Sequence, residues 1–296
     1  MKGNPIYKRE MTVSSRSFRL ALALLVFNGI LALVALLNMY STMVQVRVTA
    51  EIQYKSFLDL YIFVAVLEFL MLIFIMPAIT AGAVSGERER RTLDLMLSTK
   101  MSAAQIVLGK LAASLSTMMV LIISSFPILA LVFVYGGVTV RDIGILLVCY
   151  GAAALFAGSL GICCSAVFGK TTFSTVAAYG LMGIIVGGTY GINQLALFFS
   201  RMPGGAYLTS QTAETATGSS GGFLYLLLFN PTTTFVMTMT RLTGREQLGG
   251  GIVRWFGNHG ESIVSRNWVG CSVMIQILMA ALLVRTAVRA VGPGKK

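Results

Sequence analysis

Residues 57–84 read FLDLYIFVAVLEFLMLIFIMPAITAGAV, an apolar run in which only Asp59 and Glu68 carry charge. An α-helix rises about 1.5 Å per residue, so about 20 apolar residues are enough to cross the hydrocarbon of a bilayer. The run is longer than that. It therefore predicts a membrane-spanning helix.

Five further runs of similar character flank this one. Together they predict six spans, at residues 20–40, 57–84, 106–135, 143–168, 173–199 and 268–288. The chain is 56% hydrophobic and 11% charged, against roughly 25% charged in an average soluble domain, and its mean hydropathy is +0.80. The first run is too long for the core of a secretory signal, so we expect it to be retained. The predicted fold class is all-α, a polytopic membrane protein with one transmembrane domain over residues 1–296.

The basic residues lie mostly at the ends of the apolar runs. The formal net charge is +12, but no basic stripe is interleaved with stacking aromatic residues, so the charge indicates topology and not contact with nucleic acid. Fifteen of the 23 Lys and Arg residues fall on the side of both chain ends, whereas the short loops opposite hold only Arg47, Lys55 and Arg141. Because basic residues resist translocation, both termini are predicted to be cytoplasmic, in the plasma membrane.

The long segment after the fifth span, residues 200–267, is predicted to be external. Its first part is rich in Gly, Ser and Thr and is typical of a flexible loop. The apolar stretch 223–229 follows, Asn230-Pro231 breaks it, and 235–239 resumes it. Each arm is too short to cross a bilayer, so residues 223–240 are predicted to form a re-entrant or interfacial helical hairpin. A buried extracellular helix is the alternative.

No group of residues predicts a reaction centre. The single histidine, His259, lies in the external segment, no Cys/His cluster has metal-ligand spacing, and all four cysteines fall in apolar runs. Residues 164–171 read CSAVFGKT, which lacks the first glycine of the phosphate-binding pattern G-x-x-x-x-G-K-[ST] and follows a span instead of a strand. We therefore expect no catalytic residue, no metal and no cofactor bound by this chain.

The connection between the second and third spans, residues 85–102, reads SGERERRTLDLMLSTKMS. Ser85 is predicted to cap a short helix, and Ser102 with Gln105 forms a capping box for the next one. Four apolar residues recur at helical spacing and would form one face: Leu93, Met96, Leu97 and Met101. An amphipathic cytoplasmic helix of this kind could simply lie on lipid. Its alternating Glu and Arg residues favour docking against a protein, because fixed charges of both signs set a register.

This connection resembles the signature between the second and third spans of the type-2 ATP-binding-cassette (ABC) exporter permeases. In that family a serine is followed by E-R-E-R, a small residue, T-L-E and a leucine-rich turn that ends in S-T-P. The matching positions are Ser85, Glu87, Arg88, Glu89, Arg90, Thr92, Leu93, Leu95, Leu97, Ser98 and Thr99. Arg91 stands where the family has glycine, Asp94 where it has glutamate, and Lys100 where it has proline. Asn4-Pro5 within residues 1–19 resembles the family's amino-terminal elbow, with Pro5 as the first helical residue.

The resemblance implies the membrane-spanning permease subunit of an ABC exporter, acting as a homodimer or heterodimer. Two separate ATPase subunits would hold ATP and Mg²⁺ and would dock on an amphipathic coupling helix over 85–102. The coupling residues are expected to be Glu87, Arg88, Glu89, Arg90, Arg91, Thr92, Leu93, Asp94, Met96 and Leu97. An ion- or proton-coupled secondary transporter and a non-transporting membrane anchor or sensor subunit remain open.

Two further features of the spans are candidate sites. Gly183, Gly187 and Gly191 lie four residues apart in the fifth span, which favours close contact with another helix over a substrate groove. Glu68 lies near the middle of the second span, either as a packing residue with internal hydrogen bonds or as a lining residue for substrate or a coupling ion. Pro77 is predicted to kink that span, as a hinge or through packing alone.

Overall fold

The computed structural model describes residues 5–49, 54–98, 101–128, 139–201, 220–243, 264 and 267–292. The described residues are almost wholly helical and contain no strand. Six helices are long and apolar enough to cross a membrane, which confirms the predicted all-α polytopic class. The stretches that meet this test are Leu20–Ser41, Leu58–Glu89, Ala103–Ile128, Val140–Val167, Thr171–Ser200 and Trp268–Val291, and the second of them runs on past span two into the short helix Ser85–Glu89.

Shorter helices join and flank the spans. The amino-terminal helix is Pro5–Ser15, and span one follows as Phe18–Thr49. Span two is Tyr54–Ala81, and two short helices after it, Ser85–Glu89 and Thr92–Ser98, form with the turn between them what we call the connector. Spans three, four and six are Ala103–Ser124, Val140–Val167 and Trp268–Val291. Span five consists of Thr171–Gly183, a π-helical turn at Ile184–Gly188 and Thr189–Arg201.

The ends of several helices follow the predicted capping residues. The amino-terminal helix begins at Pro5, while Asn4 lies outside the described residues. The capping box of Ser102 and Gln105 is confirmed, with both reciprocal hydrogen bonds present. Span four begins at Val140 and not at residue 143, because a second capping box before it adds a polar first turn that hydropathy does not reveal. The predicted end of span three, at 135, lies outside the described residues.

The chain divides into two compact units, and the first comprises Met1–Tyr179 with Met279–Lys296. Its centre is the contact of span two with span four, joined by span three. Gly158 and Gly161 of span four lie directly against span two. A Cβ added at Gly158 would lie 2.5 Å from the Met76 side chain, and one at Gly161 would overlap the Thr80 hydroxyl. At Gly158 only the flexible ends of the Met76 and Leu111 side chains would have to move, whereas at Gly161 the backbone of span two is also in the way.

The second unit, Gly180–Leu278, contains the predicted broken hairpin. Its arms are the 3₁₀ helix Gly221–Phe229 and the helix Pro231–Leu242, inclined at 96° to each other. Asn230 caps the second arm through its side-chain oxygen, which accepts from the Thr232 N–H at 2.9 Å, and Pro231 takes the first helical position. The bend lies at the predicted pair, Asn230-Pro231. The entry of this hairpin into a membrane stays a prediction.

Buried hydroxyl and amide groups join the hairpin to span six within the second unit. Ser272 donates to the Leu228 carbonyl at 2.7 Å and shares a short hydrogen bond with Thr234. The Gln276 amide donates to the Thr234 hydroxyl at 2.7 Å. Apolar residues of the 3₁₀ arm pack on Trp268 at the start of span six. The hairpin and the first turns of span six therefore form one packed body.

The π-helical turn in span five changes the predicted glycine stripe. A π turn bonds residues i and i+5, so it widens the helix and alters which residues share a face. The regular four-residue spacing predicted for Gly183, Gly187 and Gly191 is therefore interrupted at Ile184–Gly188. A Cβ added at any of the three glycines has no neighbour within 4 Å among the described residues. Their contact with another helix stays a prediction.

Candidate functional site

The connector is attached to span four at the point where it leaves span two. The backbone N–H groups of Val84 and Ser85 both donate to the Ser165 hydroxyl at 2.9 Å. The predicted capping by Ser85 is wrong, because its hydroxyl donates back to the Ala81 carbonyl. Val84, which holds the capping position, has a helical backbone instead of the extended one that a capping side chain needs. Ser165 supplies the acceptor that these first N–H groups would otherwise lack.

A second attachment is a buried ion pair at the first acid of the E-R-E-R motif. The Lys110 ammonium of span three lies 2.8 Å from the Glu87 carboxylate and 3.2 Å from the Glu10 carboxylate of the amino-terminal helix. The Lys110 side chain is 6% exposed and that of Glu87 is 16% exposed. One lysine thus joins the connector, span three and the amino-terminal helix.

The other acid of the motif, Glu89, is bonded to the start of span five. Its carboxylate accepts from the Thr171 backbone N–H at 2.9 Å and from the Thr171 hydroxyl at 3.0 Å. A carboxylate at this end of a helix is favoured by the helix dipole. Thr171 is also the last residue of the stretch that partly matches a phosphate-binding loop. The position at the helix N-terminus that a phosphate would take there is held by the chain's own carboxylate.

The turn between the two connector helices contains Arg91, which stands where the ABC exporter permease signature has glycine. Arg91 has φ +57, the left-handed conformation, and no other described non-glycine residue has a positive φ. The residue that follows a helix end commonly adopts this conformation, and glycine does so without a steric penalty. The glycine that the signature carries at this position is therefore the residue that this backbone favours.

We expect Arg91→Gly to stabilise the protein, because it relieves a left-handed conformation that costs a residue with a side chain about 1–2 kcal/mol. Thermal unfolding of the purified chain in detergent should show a higher midpoint than wild type. Arg90→Gly is the matched control, since Arg90 has φ −80 and glycine there gains nothing. A lower midpoint for Arg91→Gly than for Arg90→Gly would contradict this account of the turn.

The second connector helix has one face toward the spans and one away from them. Leu93 and Leu97 pack into an apolar cluster formed with spans three, four and six. Leu95 is 67% exposed. Met96 and Met101, predicted to share the face of Leu93, instead line a groove of about 370 Å³. Its other lining residues are Arg9, Glu87, Arg90, Thr92 and Leu95. The predicted single apolar face is therefore divided between the inside and the outside of the connector.

The structure separates the predicted coupling residues into two groups. Glu87, Glu89 and Leu93 contact other parts of this chain, as described above. Arg90 and Arg91 are exposed, Arg88 is half-buried, and the Thr92 hydroxyl donates to the Glu87 carbonyl. The side chain of Asp94 lies outside the described residues. Glu89 is exposed although it bonds Thr171, and Glu87 lines the groove although it pairs with Lys110. The described outward surface of the connector therefore combines Arg90, Arg91 and Leu95 with these two acids.

Glu68 lies inside the contact of spans two, three and four. It is 3% exposed and accepts a short hydrogen bond from the Ser125 hydroxyl, while Tyr150 of span four donates to the nearby Ala65 carbonyl at 2.7 Å. Within the part of the chain that the structure describes, no Lys or Arg forms an ion pair with it. These contacts favour the packing role for Glu68 over the lining role, and both stay hypotheses.

Pro77 lies inside the helix of span two, which continues past it to Ala81. Proline lacks an N–H, so the preceding turn loses a backbone hydrogen bond. The phenol of Tyr179 in span five donates to the Phe74 carbonyl in that turn at 2.7 Å, and Thr80 donates to the Met76 carbonyl. Span two is thereby supported from span five at the proline. Its use as a hinge stays a hypothesis.

Sequence reasoning missed the partners of the motif acids. Lys110 is one of the fifteen basic residues that the charge count assigns to the side of both chain ends, although it lies eight residues after the Ser102 cap and so two turns inside a helix. Ser165 and Thr171 carried a weaker signal, because polar residues near a helix end are common. Gly158 and Gly161 carry a signal in the sequence, because each follows an alanine by four residues, Ala154 and Ala157, and small residues at this spacing are typical of close helix contacts. Within the described residues, no group of three His, Cys, Asp or Glu side chains could hold a metal ion.

The comparisons with known proteins concern nearly the whole chain. A family model described as "ABC-2 family transporter protein" matches residues 13–287, and this range includes the connector, five complete spans and most of the sixth. A search of curated proteins gives no match.

Proposed function

We propose, from the premise that this chain belongs to the ABC-2 transporter family, that it is an exporter subunit whose connector receives the movement of a separate ATPase. Membership makes the chain the membrane-spanning permease subunit of an ABC transporter and not the ATPase itself. Export direction and the place of docking are the parts that we propose. The exposed outer face of the connector is the observation on which the proposal rests.

The attachments of the connector support its role as the transmission point. Ser165 bonds it to span four, Lys110 to span three and to the amino-terminal helix, and Thr171 to span five. A movement imposed on the outer face would therefore reach three spans without an intervening flexible loop. Rigid-body rearrangement of packed helices is a usual route to alternating access.

We propose that two ATPase subunits, with ATP and Mg²⁺, act on a pair of permeases that is either a homodimer or a heterodimer. The interrupted glycine stripe of span five supports such a pairing, because its glycines are open in the single chain and small residues favour close helix contact in lipid. Both chain ends would lie on the ATPase side of the plasma membrane. The Lys110 junction supports this for the amino-terminal helix, since it holds that helix beside the connector.

Leu95→Glu should disrupt the coupling of ATP hydrolysis to this subunit. Leu95 is exposed beside Arg90 and the groove lined by Met96 and Met101. A carboxylate at this position would lose its water when the ATPase docks, which weakens binding. We expect the ATPase to co-purify at least about tenfold less, the change that 1.4 kcal/mol of lost binding produces. The measurement is the ATPase-to-permease ratio after purification, together with the ATP hydrolysis rate in proteoliposomes.

Val140→Glu is the matched control. Val140 is 71% exposed, much like Leu95, but lies at the end of span four opposite Ser165. Full co-purification and hydrolysis with Leu95→Glu would contradict docking on the connector. The same vesicles separate the other functional classes: transport without nucleotide would favour an ion-coupled transporter, and an ATPase that binds without any cargo movement would favour an anchor or sensor subunit.

A further inference from the structure

Asn193, in the last helical segment of span five, is buried without a hydrogen-bond partner. Its side chain is 0% exposed, and neither its amide nitrogen nor its amide oxygen has a hydrogen-bond partner among the described residues. Buried polar groups are nearly always hydrogen-bonded, and this amide has capacity for four hydrogen bonds. An unsatisfied amide at such a position indicates a partner that belongs to another state of the molecule.

One helical turn before Asn193, an equivalent position is occupied. The side-chain amide of Asn230, at the bend of the hairpin, donates to the Val186 carbonyl at 3.0 Å and to the Thr189 hydroxyl at 3.0 Å. Val186 lies in the π turn, where the altered bonding leaves carbonyls open to side-chain donors. Moved four residues along span five, the same amide would meet the Tyr190 carbonyl and the Asn193 side chain.

The hairpin is built to move as one piece with the start of span six. Thr234, Ser272 and Gln276 bond the two together, and Ser272 also bonds the Leu228 carbonyl of the other hairpin arm. At the bend of the hairpin, the hydrogen bonds to span five come from the Asn230 amide. The 3₁₀ arm also packs along Thr189–Arg201. A shift of one full helical turn would keep such helix packing in register and would exchange the Asn230 hydrogen bonds.

We propose that Asn193 is a positioning residue for transport: Asn230 moves from Val186 and Thr189 to Tyr190 and Asn193 as the hairpin shifts one helical turn along span five. This rests on the proposed transport function, because an alternating-access cycle needs a second arrangement of these helices. Packed helices move past one another in such one-turn steps. The displacement is one helical pitch, about 5.4 Å.

Two substitutions bias this equilibrium in opposite directions, so the isolated permease can test it. Thr189→Val removes an acceptor of the first arrangement only, and Asn193→Leu removes the acceptor of the second only. Spin labels at Ile184 and Phe223, both exposed, report the separation of span five from the hairpin in a cysteine-free background. Thr189→Val should add a population about 5 Å longer, one helical pitch, and Thr189→Val with Asn193→Leu should lose it.

Thr189→Ser is the matched control, because it keeps the hydroxyl and should leave the distance unchanged. Asn193→Leu alone should retain or raise the thermal midpoint, since it removes an unpartnered amide. A lower midpoint, or a single unchanged distance in Thr189→Val, would overturn the proposal. If Thr189→Val does not fold, the wild-type permease is labelled instead and bound to its ATPase and a non-hydrolysable nucleotide analogue. It must then show the longer distance between the two labels, and Asn193→Leu must abolish that distance. Loss of ATPase binding with the distance shifts intact would overturn the docking proposal alone.

Discussion

Gly161→Val is expected to prevent most of the protein from folding into a single monodisperse species. Even a Cβ at this position overlaps the Thr80 hydroxyl and lies 3.3 Å from the Ala81 backbone nitrogen, so span four could no longer approach span two. The cost should reach or exceed the roughly 3 kcal/mol upper end of ordinary overpacking, because a backbone atom cannot move aside as a side chain can. Size-exclusion chromatography after solubilisation, with thermal unfolding of any folded fraction, measures it.

Gly151→Val is the control for this substitution. Gly151 lies in the same helix, and a Cβ there has no neighbour within 4 Å among the described residues. Thr80→Ala should partly restore a milder Gly161→Ala variant, because it removes the hydroxyl that the new methyl group meets. A Gly161→Val protein that elutes and unfolds like Gly151→Val would show that this contact is not tight.

Lys110→Met is expected to produce the second large loss of stability. It leaves Glu87 buried without its cation, and removing one partner of a buried ion pair typically costs about 3–5 kcal/mol. The amino-terminal helix also loses its charged contact through Glu10, although that carboxylate is partly exposed and can be hydrated. The thermal midpoint of the purified chain should fall accordingly.

Removing the charge left behind should restore much of that stability. In Lys110→Met with Glu87→Gln, no uncompensated charge remains, so the double variant should be more stable than Lys110→Met alone. Glu10→Gln is the comparison for the more exposed carboxylate and should have the smaller effect. Equal midpoints for wild type and Lys110→Met would mean that this junction does not hold the connector.

The sequence was enough to predict the spans and the local signals at several helix ends. The six spans follow from composition, since apolar runs of this length have few alternatives in water. Pro231 and the pair Ser102 and Gln105 act on their own neighbours in the chain, so their effect can be predicted without a fold. The family resemblance likewise rests on contiguous residues, and the family match over residues 13–287 confirms it.

The contacts that define the site depend on residues far apart in the chain. Lys110 meets Glu10 across 100 residues, and Asn230 reaches the π turn across 44. Hydropathy cannot distinguish a lysine that snorkels to lipid headgroups from one buried between two acids, because both lie near a span end. The π turn has no local signal in Ile184–Gly188 for the same reason: the side chain that satisfies its carbonyl comes from the hairpin.

The connector is bonded to spans three, four and five at separate residues, so it is held more rigidly than a segment joined to one helix alone. Under the proposed docking, a force applied at Leu95 would be shared among the bonds to Ser165, Lys110 and Thr171. Loss of one attachment would leave the connector bonded to two other spans.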